Sequence, residues 1–581
     1  MSSIAHGLLN AFGSISVIDF EFQSLNGNRP NPVCLVVKDL RTGSLQRFWR
    51  DDLIRLNECP FPIGKTDLVL AFYASAEFGC MLELGWPLPQ NIVDLHAEHR
   101  VETNGLYLPT GNSLLGALAY RGLARIDVAV KDSMRDLILG QSCWSPEEQV
   151  QILAYCTSDV EAATQLLSSM LPKMDLQRAL LRGRYTKAVA HMERAGIPID
   201  REVHATLVTN WDVIRRGLVK FIDQDFGLYD GMTFKRGRFS RWLRDHRIPW
   251  PRSEAGILKL DDETFKEQAA AWPILEPIRE LRQTLGRMYL PSLQIGRDGR
   301  SRTLIGQFSS KTGRNQPSTK GFAFGLSRWQ RGVIKPDEGY GLAYIDFSSQ
   351  EICIAAGLSG DEKLIDAYCG GDPYLAFAKQ AGLVPAEATR DSHSREREQC
   401  KTVVLGLNYG LGAEKMAYQA QISVALAKEL IQRHRETYPV YWKWSADLVT
   451  SALLSGEISS IFGWRRQLRY IDKPTSLMNF PMQSNGAEMM RIAAIAMTEA
   501  GIEVCAPVHD AFLISAPLEV LDEQIAKARD LMVRAGRQVT GGVEIRTEAK
   551  VIKFPNRFMD PQGAEMWNLV VELARNPESQ V

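Results

Sequence analysis

Two short runs in this chain each end an apolar stretch with an aspartate, although they lie more than 150 residues apart. Residues 341–345 lead into Asp346, and residues 504–508 lead into His509 and Asp510. Apolar runs of this length, bounded by polar residues, are typical of buried strands. Two carboxylates at the ends of two strands can meet at one sheet edge and hold a pair of divalent ions for phosphoryl transfer. The pattern therefore predicts a metal site at a sheet edge.

A basic helical pattern lies between the two runs. Arg397, Lys401, Leu405 and Tyr409 recur every four residues, which places them on one face of a helix. Arginine can bind phosphate oxygens in a bidentate way, and lysine acts on them as a point charge. A carboxylate, a basic helix and a second carboxylate in this order indicate a nucleotidyl transferase.

The three runs resemble motifs A, B and C of the family A DNA polymerases, the group of bacterial DNA polymerase I and many phage replicases. The similarity extends from about residue 180 to about 555 in a consistent order. Four supporting runs also resemble the family: Met-Glu-x-x-Gly-Ile-x-Ile-Asp at 192–200, Thr-Gly-Arg at 312–314, Leu-Ser-Gly-Asp at 358–361 and Asn-Phe-Pro-Met-Gln at 479–483.

The resemblance implies roles for single residues in the polymerase site. Asp346 and Asp510 are catalytic and hold two Mg²⁺ ions, which Mn²⁺ can replace. Glu351 blocks the ribose 2′-hydroxyl and is braced by Tyr409, so the substrates are dNTPs. The nucleotide-binding set is Arg397, Lys401, Leu405, Tyr409 and Glu351. The residues that approach primer-template DNA are Arg314, Asn479, Gln483 and His509.

Three positions depart from the family pattern. Leu405 replaces an aromatic residue near the incoming sugar, and Ser349 stands where the family often has glutamine. Ala511 replaces the acid that commonly follows the second aspartate, so no third carboxylate is expected at that position. We expect activity, because both aspartates are present, with altered sugar discrimination.

A second acidic pattern lies near the N-terminus. Asp19 and Glu21 are two residues apart on a predicted strand, which points both side chains to one face. Tyr155 and Asp159 are four residues apart on a later predicted helix. Together they resemble the 3′–5′ exonucleases of ribonuclease-H-like fold that precede many family A polymerases. The resemblance implies that Asp19, Glu21 and Asp159 hold two divalent metals and that Tyr155 orients the attacking water.

That nuclease family has a further aspartate in the middle of the domain. At the matching place this sequence has Glu77, which we predict to be a catalytic substitute, because a longer carboxylate can still bind Mg²⁺. Asp94 is an alternative ligand or a supporting residue.

Charge along the chain is uneven although the net charge is zero, with 68 basic and 68 acidic residues. Residues 297–335 contain nine Lys or Arg and one acid. Between 235 and 247, basic residues alternate with Phe239 and Trp242, and Arg238 and Arg241 are predicted DNA contacts. Such stretches favour binding to a phosphate backbone.

The sequence predicts an α/β multidomain fold. Residues 1–175 alternate strands (14–22, 33–39 and 68–73) with helices, among them 146–171 with Ser145 as its N-cap. The resemblance implies a ribonuclease-H-like exonuclease domain at 1–175 and a right-hand polymerase. Its parts are a thumb at 176–300, a palm at 301–358 and 456–581, and fingers at 359–455. Strand signals are also expected through 455–515.

Composition limits the cellular setting. No apolar run is long enough to span a membrane. Residues 1–10 do not resemble a signal peptide. Nine cysteines without a Cys-x-x-Cys pair indicate a reducing compartment. We expect a monomer in the cytoplasm of a bacterium or a phage-infected host, without room for a 5′-nuclease domain before Asp19. The sequence does not identify a processivity factor.

Four functions remain open at this point. The first is a replicative or repair DNA polymerase with proofreading. The second is a nuclease whose polymerase part only holds DNA. The third is a single-subunit RNA polymerase, which Glu351 and the nuclease pattern disfavour. The fourth is a non-enzymatic DNA-binding protein, which the neutral net charge disfavours.

Overall fold

A five-stranded sheet forms the centre of the N-terminal region. The computed structural model describes residues 11–24, 26–123 and 128–575, and of 128–130 the backbone alone. Residues 1–10, where a signal peptide was not expected, lie outside the described residues. The strands are β1 (Ser14–Gln23), β2 (Asn31–Asp39), β3 (Leu45–Trp49), β4 (Asp67–Ala71) and β5 (Asn91–Asp94).

The strand order of this N-terminal sheet is β3-β2-β1-β4-β5. The first three strands are antiparallel neighbours, and β4 and β5 run parallel to β1. Central strand β1 buries Val17 on one face and Ile18 on the other, so helices cover both sides. These helices are α1 (Arg50–Arg55), α2 (Ala74–Glu83), α3 (Leu95–Thr103), α4 (Leu114–Tyr120), α5 (Val128–Gly140) and α6 (Pro146–Met170).

The predicted elements of this region are present with small changes of boundary. Helix α6 begins after Ser145, whose hydroxyl accepts from Glu148 N at 3.2 Å while Glu148 Oε2 accepts from Ser145 N at 2.7 Å. Strand β4 ends at Ala71 rather than at Tyr73, because Tyr73 adopts a φ of 69° and begins α2.

Helix α7 (Leu176–Ala195) joins the N-terminal region to the rest of the chain. A Cβ on Gly183 would lie 2.0 Å from Ile92 O, so the helix backbone approaches β5 directly. Its buried Ala179 and Ala190 belong to the cores around the N-terminal sheet, whereas Tyr185 and Val189 belong to a core shared with the second large sheet.

A mainly helical region follows α7, as predicted for residues 176–300. Its helices are α8 (Arg201–Thr209), α9 (Trp211–Asp223), α10 (Arg236–Asp245), α11 (Asp262–Ala271) and α12 (Glu276–Gly286). Its two-residue strands are β6 (Ile197–Pro198), β7 (Tyr229–Asp230), β8 (Thr233–Phe234) and β9 (Arg300–Ser301). Short 3-10 helices occur at Leu171–Lys173, Pro273–Leu275, Leu290–Ser292, Ala323–Gly325, Trp329–Val333 and Pro561–Gly563.

The remaining elements begin at residue 340. The strands are β10 (Tyr340–Phe347), β11 (Glu457–Ser459), β12 (Arg465–Gln467), β13 (Glu503–Val508), β14 (Ala511–Pro517) and β15 (Thr547–Lys553). The helices are α13 (Gln350–Ser359), α14 (Glu362–Cys369), α15 (Pro373–Gln380), α16 (Ser394–Asn408), α17 (Ala413–Ala420), α18 (Val424–Thr437), α19 (Pro439–Ser455), α20 (Pro474–Met478), α21 (Phe480–Glu499), α22 (Leu521–Thr540) and α23 (Ala564–Arg575).

A four-stranded antiparallel sheet, the central sheet, has the order β13-β14-β10-β15. Residues of α21 and α22 pack with Ile345 and Phe512 on one face, and Leu342 and Leu513 pack against the helical region on the other. Two distant segments of sequence therefore build one sheet, as the strand-end aspartates require.

One expectation about this half of the chain differs from the structure. Strand signals were expected through 455–515, but Phe480–Glu499 is a helix, because its buried residues cover nearly the whole circumference and hide the helical period. The last helix, α23, packs on α9, and Asn210 Nδ2 donates to Ala574 O at 3.1 Å.

Two further properties agree with the sequence. All nine cysteines are free thiols. Across the described ranges, no helix is long and apolar enough to cross a membrane.

Candidate active sites

The two strand-end aspartates meet at one edge of the central sheet. Asp346 lies near the end of β10, and Asp510 lies in the two-residue turn between β13 and β14. His509 opens this turn with a φ of 55°, which a tight hairpin connection requires. Phe347 N donates to Asp510 O at 3.0 Å, so the turn is fixed to the end of β10.

The environment of Asp346 suits a cation. Burial raises the pKa of Asp346, and the neighbouring Asp510 carboxyl raises it further. Asp346 Oδ1 is buried and has no hydrogen-bond partner among the described residues. A buried, unpaired carboxylate oxygen beside a second carboxylate is an arrangement that a hard divalent cation satisfies. The residues therefore fit the predicted metal pair.

Glu351 lies at the centre of a polar group beside the aspartate pair. Ser349 has a φ of 52°, so the chain turns directly from β10 into α13 and places Glu351 in the first helical turn. Tyr409 Oη donates to Glu351 Oε1 at 3.0 Å, and Arg314 Nη2 lies 3.6 Å from the same oxygen. Gln483 Nε2 donates to Tyr409 Oη at 3.5 Å. The structure thus brings together four residues that the sequence placed in different motifs.

Arg397 and Lys401 on α16 differ in burial and in their ion-pair partners. Arg397 is buried, its Nε donates to Asp372 Oδ2 at 2.5 Å, and its guanidinium lies 5.4 Å from the centre of the Tyr374 ring. Lys401 is more exposed and pairs with Glu398 at 3.5 Å. Asp372 also caps α15 by accepting from two backbone amides. The orientation of Arg397 therefore depends on α15.

Three carboxylates converge on one face of the N-terminal sheet. One ligand oxygen from each of Asp19, Glu21 and Asp159 lies within 4.8 Å of the others. The first two project from β1, and Asp159 projects from α6, which packs across that strand. Cys156 Sγ donates to Asp19 Oδ2 at 3.2 Å. We call these three acids the carboxylate cluster.

The electrostatics of the carboxylate cluster also favour a metal. Burial raises the pKa of Asp19, Glu21 and Asp159. Burial and then the three carboxylates raise the pKa of the buried Tyr155. The influence of these carboxylates indicates that the Tyr155 hydroxyl lies beside the cluster. Asp159 Oδ1 is buried, and within the described ranges no group hydrogen-bonds to it. The cluster therefore fits the predicted divalent ions.

The family model for DNA polymerase family A matches residues 252–553, more than half of the chain. The chain belongs to DNA polymerase family A. It is 26% identical over 381 residues to the thermostable DNA polymerase I of Thermus thermophilus, covering 60% of this chain and 45% of that protein. It is 25% identical over 386 residues to the DNA polymerase of Mycobacterium phage D29, covering 64% of this chain and 62% of that protein.

One solved structure extends the likeness to most of the chain. It is the POL domain of Pol1 from M. smegmatis in complex with DNA primer-template and dNTP. The TM-score is 0.68 at 19% identity, and the match covers 94% of this chain and 97% of that one. The two proteins share the family A polymerase fold. The chain spans less than half the length of the Thermus relative.

This family A chain has a third carboxylate beside the aspartate pair, which the sequence did not predict. Glu548 on β15 pairs with Asp346, on the side of β10 opposite Ala511. Ser348 Oγ donates to Glu548 Oε1 at 3.2 Å, and Glu548 contributes to the raised pKa of Asp346. Glu548 on β15 thus supplies a carboxylate in place of the acid that is absent at Ala511 on β14. This follows from the register of the strands and not from a local sequence pattern.

Glu77, the predicted middle carboxylate of the N-terminal site, lies beside the carboxylate cluster and not within it. Glu77 is buried and outside the carboxylate cluster, and its Oε2 accepts from Phe20 N at 2.6 Å. Burial and then the charge of Asp19 raise its pKa, so the two carboxyls are neighbours. Asp94 is not an available ligand: it caps α3, and its oxygens accept from Tyr73 N at 3.0 Å and His96 N at 2.9 Å.

The predicted DNA-binding residues lie in three parts of the structure. Arg314 and His509 line a cavity of about 270 Å³ beside the aspartate pair. Asn479 is buried at the start of α21, and its side-chain oxygen and nitrogen have no hydrogen-bond partner in the described part of the chain. Arg238 and Arg241 are exposed on α10.

The aromatic residues of α10 do not alternate with arginine on a surface. Phe239 and Trp242 are buried in the core of the helical region, because helical rather than extended spacing separates them from the basic face. Leu405 is half-buried and packs against the core around the central sheet.

Proposed function

We propose that this family A chain is a template-directed DNA polymerase that adds dNTPs to a primer 3′ end by two-metal transfer. The observation that carries the proposal is the half-buried Asp346 carboxyl next to Asp510, with a buried Oδ1 that finds no hydrogen-bond partner in the part of the chain that the structure describes. The hydrogen bond from Tyr409 to Glu351 ties the basic helix α16 to the same edge of the central sheet. The printed description of the M. smegmatis structure, with primer-template and dNTP, supports these substrates.

The side chains divide the work of nucleotidyl transfer. Two Mg²⁺ ions, or Mn²⁺ in their place, would activate the primer 3′-hydroxyl and stabilise the leaving pyrophosphate. Asp346 and Asp510 would hold them, with Glu548 as an additional nearby acid. Arg397, oriented by Asp372, and Lys401 bind the triphosphate.

The helical region and the central sheet would form the thumb, palm and fingers of a right-hand polymerase. Residues 176–300 form the thumb, 301–358 and 456–581 the palm, and 359–455 the fingers, with the last helix packed on the thumb. Arg314, Asn479, Gln483 and His509 approach the primer-template minor groove, where nearly degenerate acceptors suit a sequence-independent enzyme. Arg238 and Arg241 contact the phosphate backbone.

A primer-extension assay tests this function. We expect extension of a 5′-labelled primer on a DNA template with dNTPs and Mg²⁺, little extension with NTPs, and shortening of the primer without nucleotide. Extension with NTPs alone indicates an RNA polymerase, shortening under all three conditions a nuclease only, and no change a binding protein. Any of these three outcomes overturns the proposal.

We also propose a 3′–5′ exonuclease centred on the carboxylate cluster. The observation that favours it is the convergence of three acids within 4.8 Å at the central strand of a sheet ordered β3-β2-β1-β4-β5, with Asp159 buried and the other two half-buried. Three antiparallel strands followed by two parallel ones support a ribonuclease-H-like domain. Two divalent ions held by Asp19, Glu21 and Asp159 would supply the activated water, and Tyr155 would orient it.

The name of the phage D29 relative supports a phage-type replicase among the possible family A roles. Proofreading by the N-terminal site would suit such a role in DNA replication. The nine free thiols are consistent with the reducing cytoplasm of a bacterial host, and we propose that the protein acts there as a monomer.

We predict that Glu351→Ala weakens discrimination against ribonucleotides. The Glu351 carboxyl is half-buried and held by Tyr409 at 3.0 Å, so its removal opens space for a 2′-hydroxyl. A lost steric block changes the dCTP-to-CTP ratio of kcat/KM by about 10²- to 10³-fold. The ratio is measured by single-nucleotide extension.

Three companion variants sharpen this measurement. Tyr409→Phe keeps the ring but removes the hydroxyl, so we expect a smaller loss of discrimination. Leu405→Phe restores the aromatic residue of the family pattern and should raise the ratio. Glu362→Ala, an exposed glutamate in the first turn of the next helix, should leave it unchanged. A parent-like ratio in Glu351→Ala places the sugar gate elsewhere.

A further inference from the structure

One lysine lies against the carboxylate cluster of the N-terminal sheet. Lys131 Nζ is 3.7 Å from Asp159 Oδ2, and 33% of the lysine side chain remains exposed against 8% for Asp159. Lys131 belongs to α5, a helix separate from the elements that carry the acids. A cation from a separate helix thus lies beside the cluster.

The position of Lys131 is fixed by the packing of α5 on β1. Gln23 Nε2 donates to Ile138 O at 2.6 Å and to Gln141 O at 2.7 Å. Gln23 follows Glu21 by two residues, so its side chain shares the β1 face that carries the acids. Ile138 is buried and lies two helical turns after Lys131, on the same helix face. The face of α5 that packs inward therefore carries Lys131 to the cluster.

The charge of Lys131 acts on the whole cluster. Its Nζ lies 3.7 Å from Asp159 Oδ2, and one oxygen of each acid lies within 4.8 Å of the others. One ammonium offsets only part of the charge of three acids, and no described group donates a hydrogen bond to Asp159 Oδ1. Two divalent ions would bring four positive charges to the same oxygens. A fixed ammonium and an entering metal therefore repel each other across a short distance.

We propose that Lys131 is a positioning residue that holds the carboxylate cluster together before metal enters and thereby sets its affinity for metal. The proposal rests on the exonuclease function proposed above. Removing the ammonium should destabilise the metal-free protein, because the acids then repel one another without compensation. It should also tighten metal binding, because the metal no longer competes with a resident cation. A lysine with a merely structural role would change stability and leave metal affinity unaltered.

The test uses Mn²⁺ as the probe and the full chain carrying Asp346→Asn and Asp510→Asn, so that binding reports on the N-terminal site. For Lys131→Met in this background, calorimetric titration should give a Kd about three- to tenfold lower. Its Tm in EDTA should fall below that of the background protein. Lys131→Arg, which keeps the charge, should restore both values. Lys131→Gln serves as a second neutral variant in case the methionine protein does not fold.

Lys38→Met is a matched control. Lys38 Nζ pairs with Glu161 Oε2 at 2.5 Å. Glu161 lies on helix α6, two residues after Asp159, so Lys38 also neutralises an acid of this helix. This ion pair is separate from the pair that Lys131 makes with Asp159. We expect lower stability and an unchanged Kd for Mn²⁺. Tightening of equal size in Lys38→Met would overturn the proposal, since any lost lysine would then suffice. Unchanged or weaker Mn²⁺ binding in the neutral Lys131 variants would overturn it as well.

A reference variant separates this inference from the function on which it rests. Asp19→Asn with Glu21→Gln, in the same background, should abolish Mn²⁺ binding. Retained binding would mean that the carboxylate cluster is not the metal site, and the proposed exonuclease centre fails together with the role of Lys131. Abolished binding with parent-like Lys131 variants removes the Lys131 inference alone.

Discussion

We expect the Asp510→Ala protein to lose primer extension by at least about a thousandfold while it still degrades single-stranded DNA from the 3′ end. The Asp510 carboxyl lies against Asp346 in a turn that the Phe347 amide fixes, so Asp510→Ala removes one of the two carboxylates proposed to hold the metal pair. A ligand for catalytic metal supplies several kcal/mol of charge stabilisation, and each ~1.4 kcal/mol is a factor of ten in rate. Gel assays of extension and of degradation measure the two activities separately.

Two controls show whether the loss is chemical. Asp510→Asn keeps the shape of the side chain and removes one of two adjacent acids, so its metal-free Tm should equal or exceed that of the parent. Asp522→Ala removes an exposed acid at the start of α22 and should extend primers normally. Extension by Asp510→Ala above a trace would contradict the metal assignment at the central sheet.

The double change Asp19→Ala and Glu21→Ala should have the opposite effect. Two of the three acids of the carboxylate cluster disappear, and with them the oxygens that fit a divalent ion. Mg²⁺-dependent degradation of single-stranded DNA should fall by at least about a thousandfold. Extension should stay at the parent level, because the cluster lies in the N-terminal sheet. Glu161→Ala, on the same helix as Asp159, is the matched control and should keep both activities.

Glu77 is tested in the same assay. Glu77→Gln keeps an oxygen that accepts from Phe20 N, and it removes the charge. If Glu77 completes the metal site, this variant loses degradation at a parent-like Tm, and Glu77→Asp retains part of it. Full degradation by Glu77→Gln would make Glu77 a structural acceptor for the end of β1.

Much of both sites follows from local sequence. A strand-end aspartate such as Asp346 is visible because burial on both faces makes β10 continuously apolar up to the acid. The start of α6 is visible because Ser145 and Glu148 form a capping box within four residues. The pairing of Asp19 with Glu21 follows from the two-residue period of a strand.

Other parts depend on contacts that no local pattern encodes. Glu548 lies beside the aspartate pair through the register of β15 with β10, and a shift of one residue would turn it to the other face. Asp94 was predicted as an alternative ligand or a supporting residue, yet its oxygens cap α3. Lys131 approaches the carboxylate cluster from a helix whose position Gln23 fixes. Each case requires the tertiary packing of elements that are separate in sequence.

Helix α7 has a consequence for dividing the chain into fragments. The boundary predicted at residue 175 falls just before a helix whose small residues Ala179, Gly183 and Ala190 are shaped for the N-terminal sheet. A fragment beginning at residue 176 would keep Tyr185 in its own core but expose the opposite side of α7 to water. A polymerase-only truncation should therefore be soluble only when that face is redesigned with polar residues. In a swap with another N-terminal domain, α7 has to be exchanged together with β5.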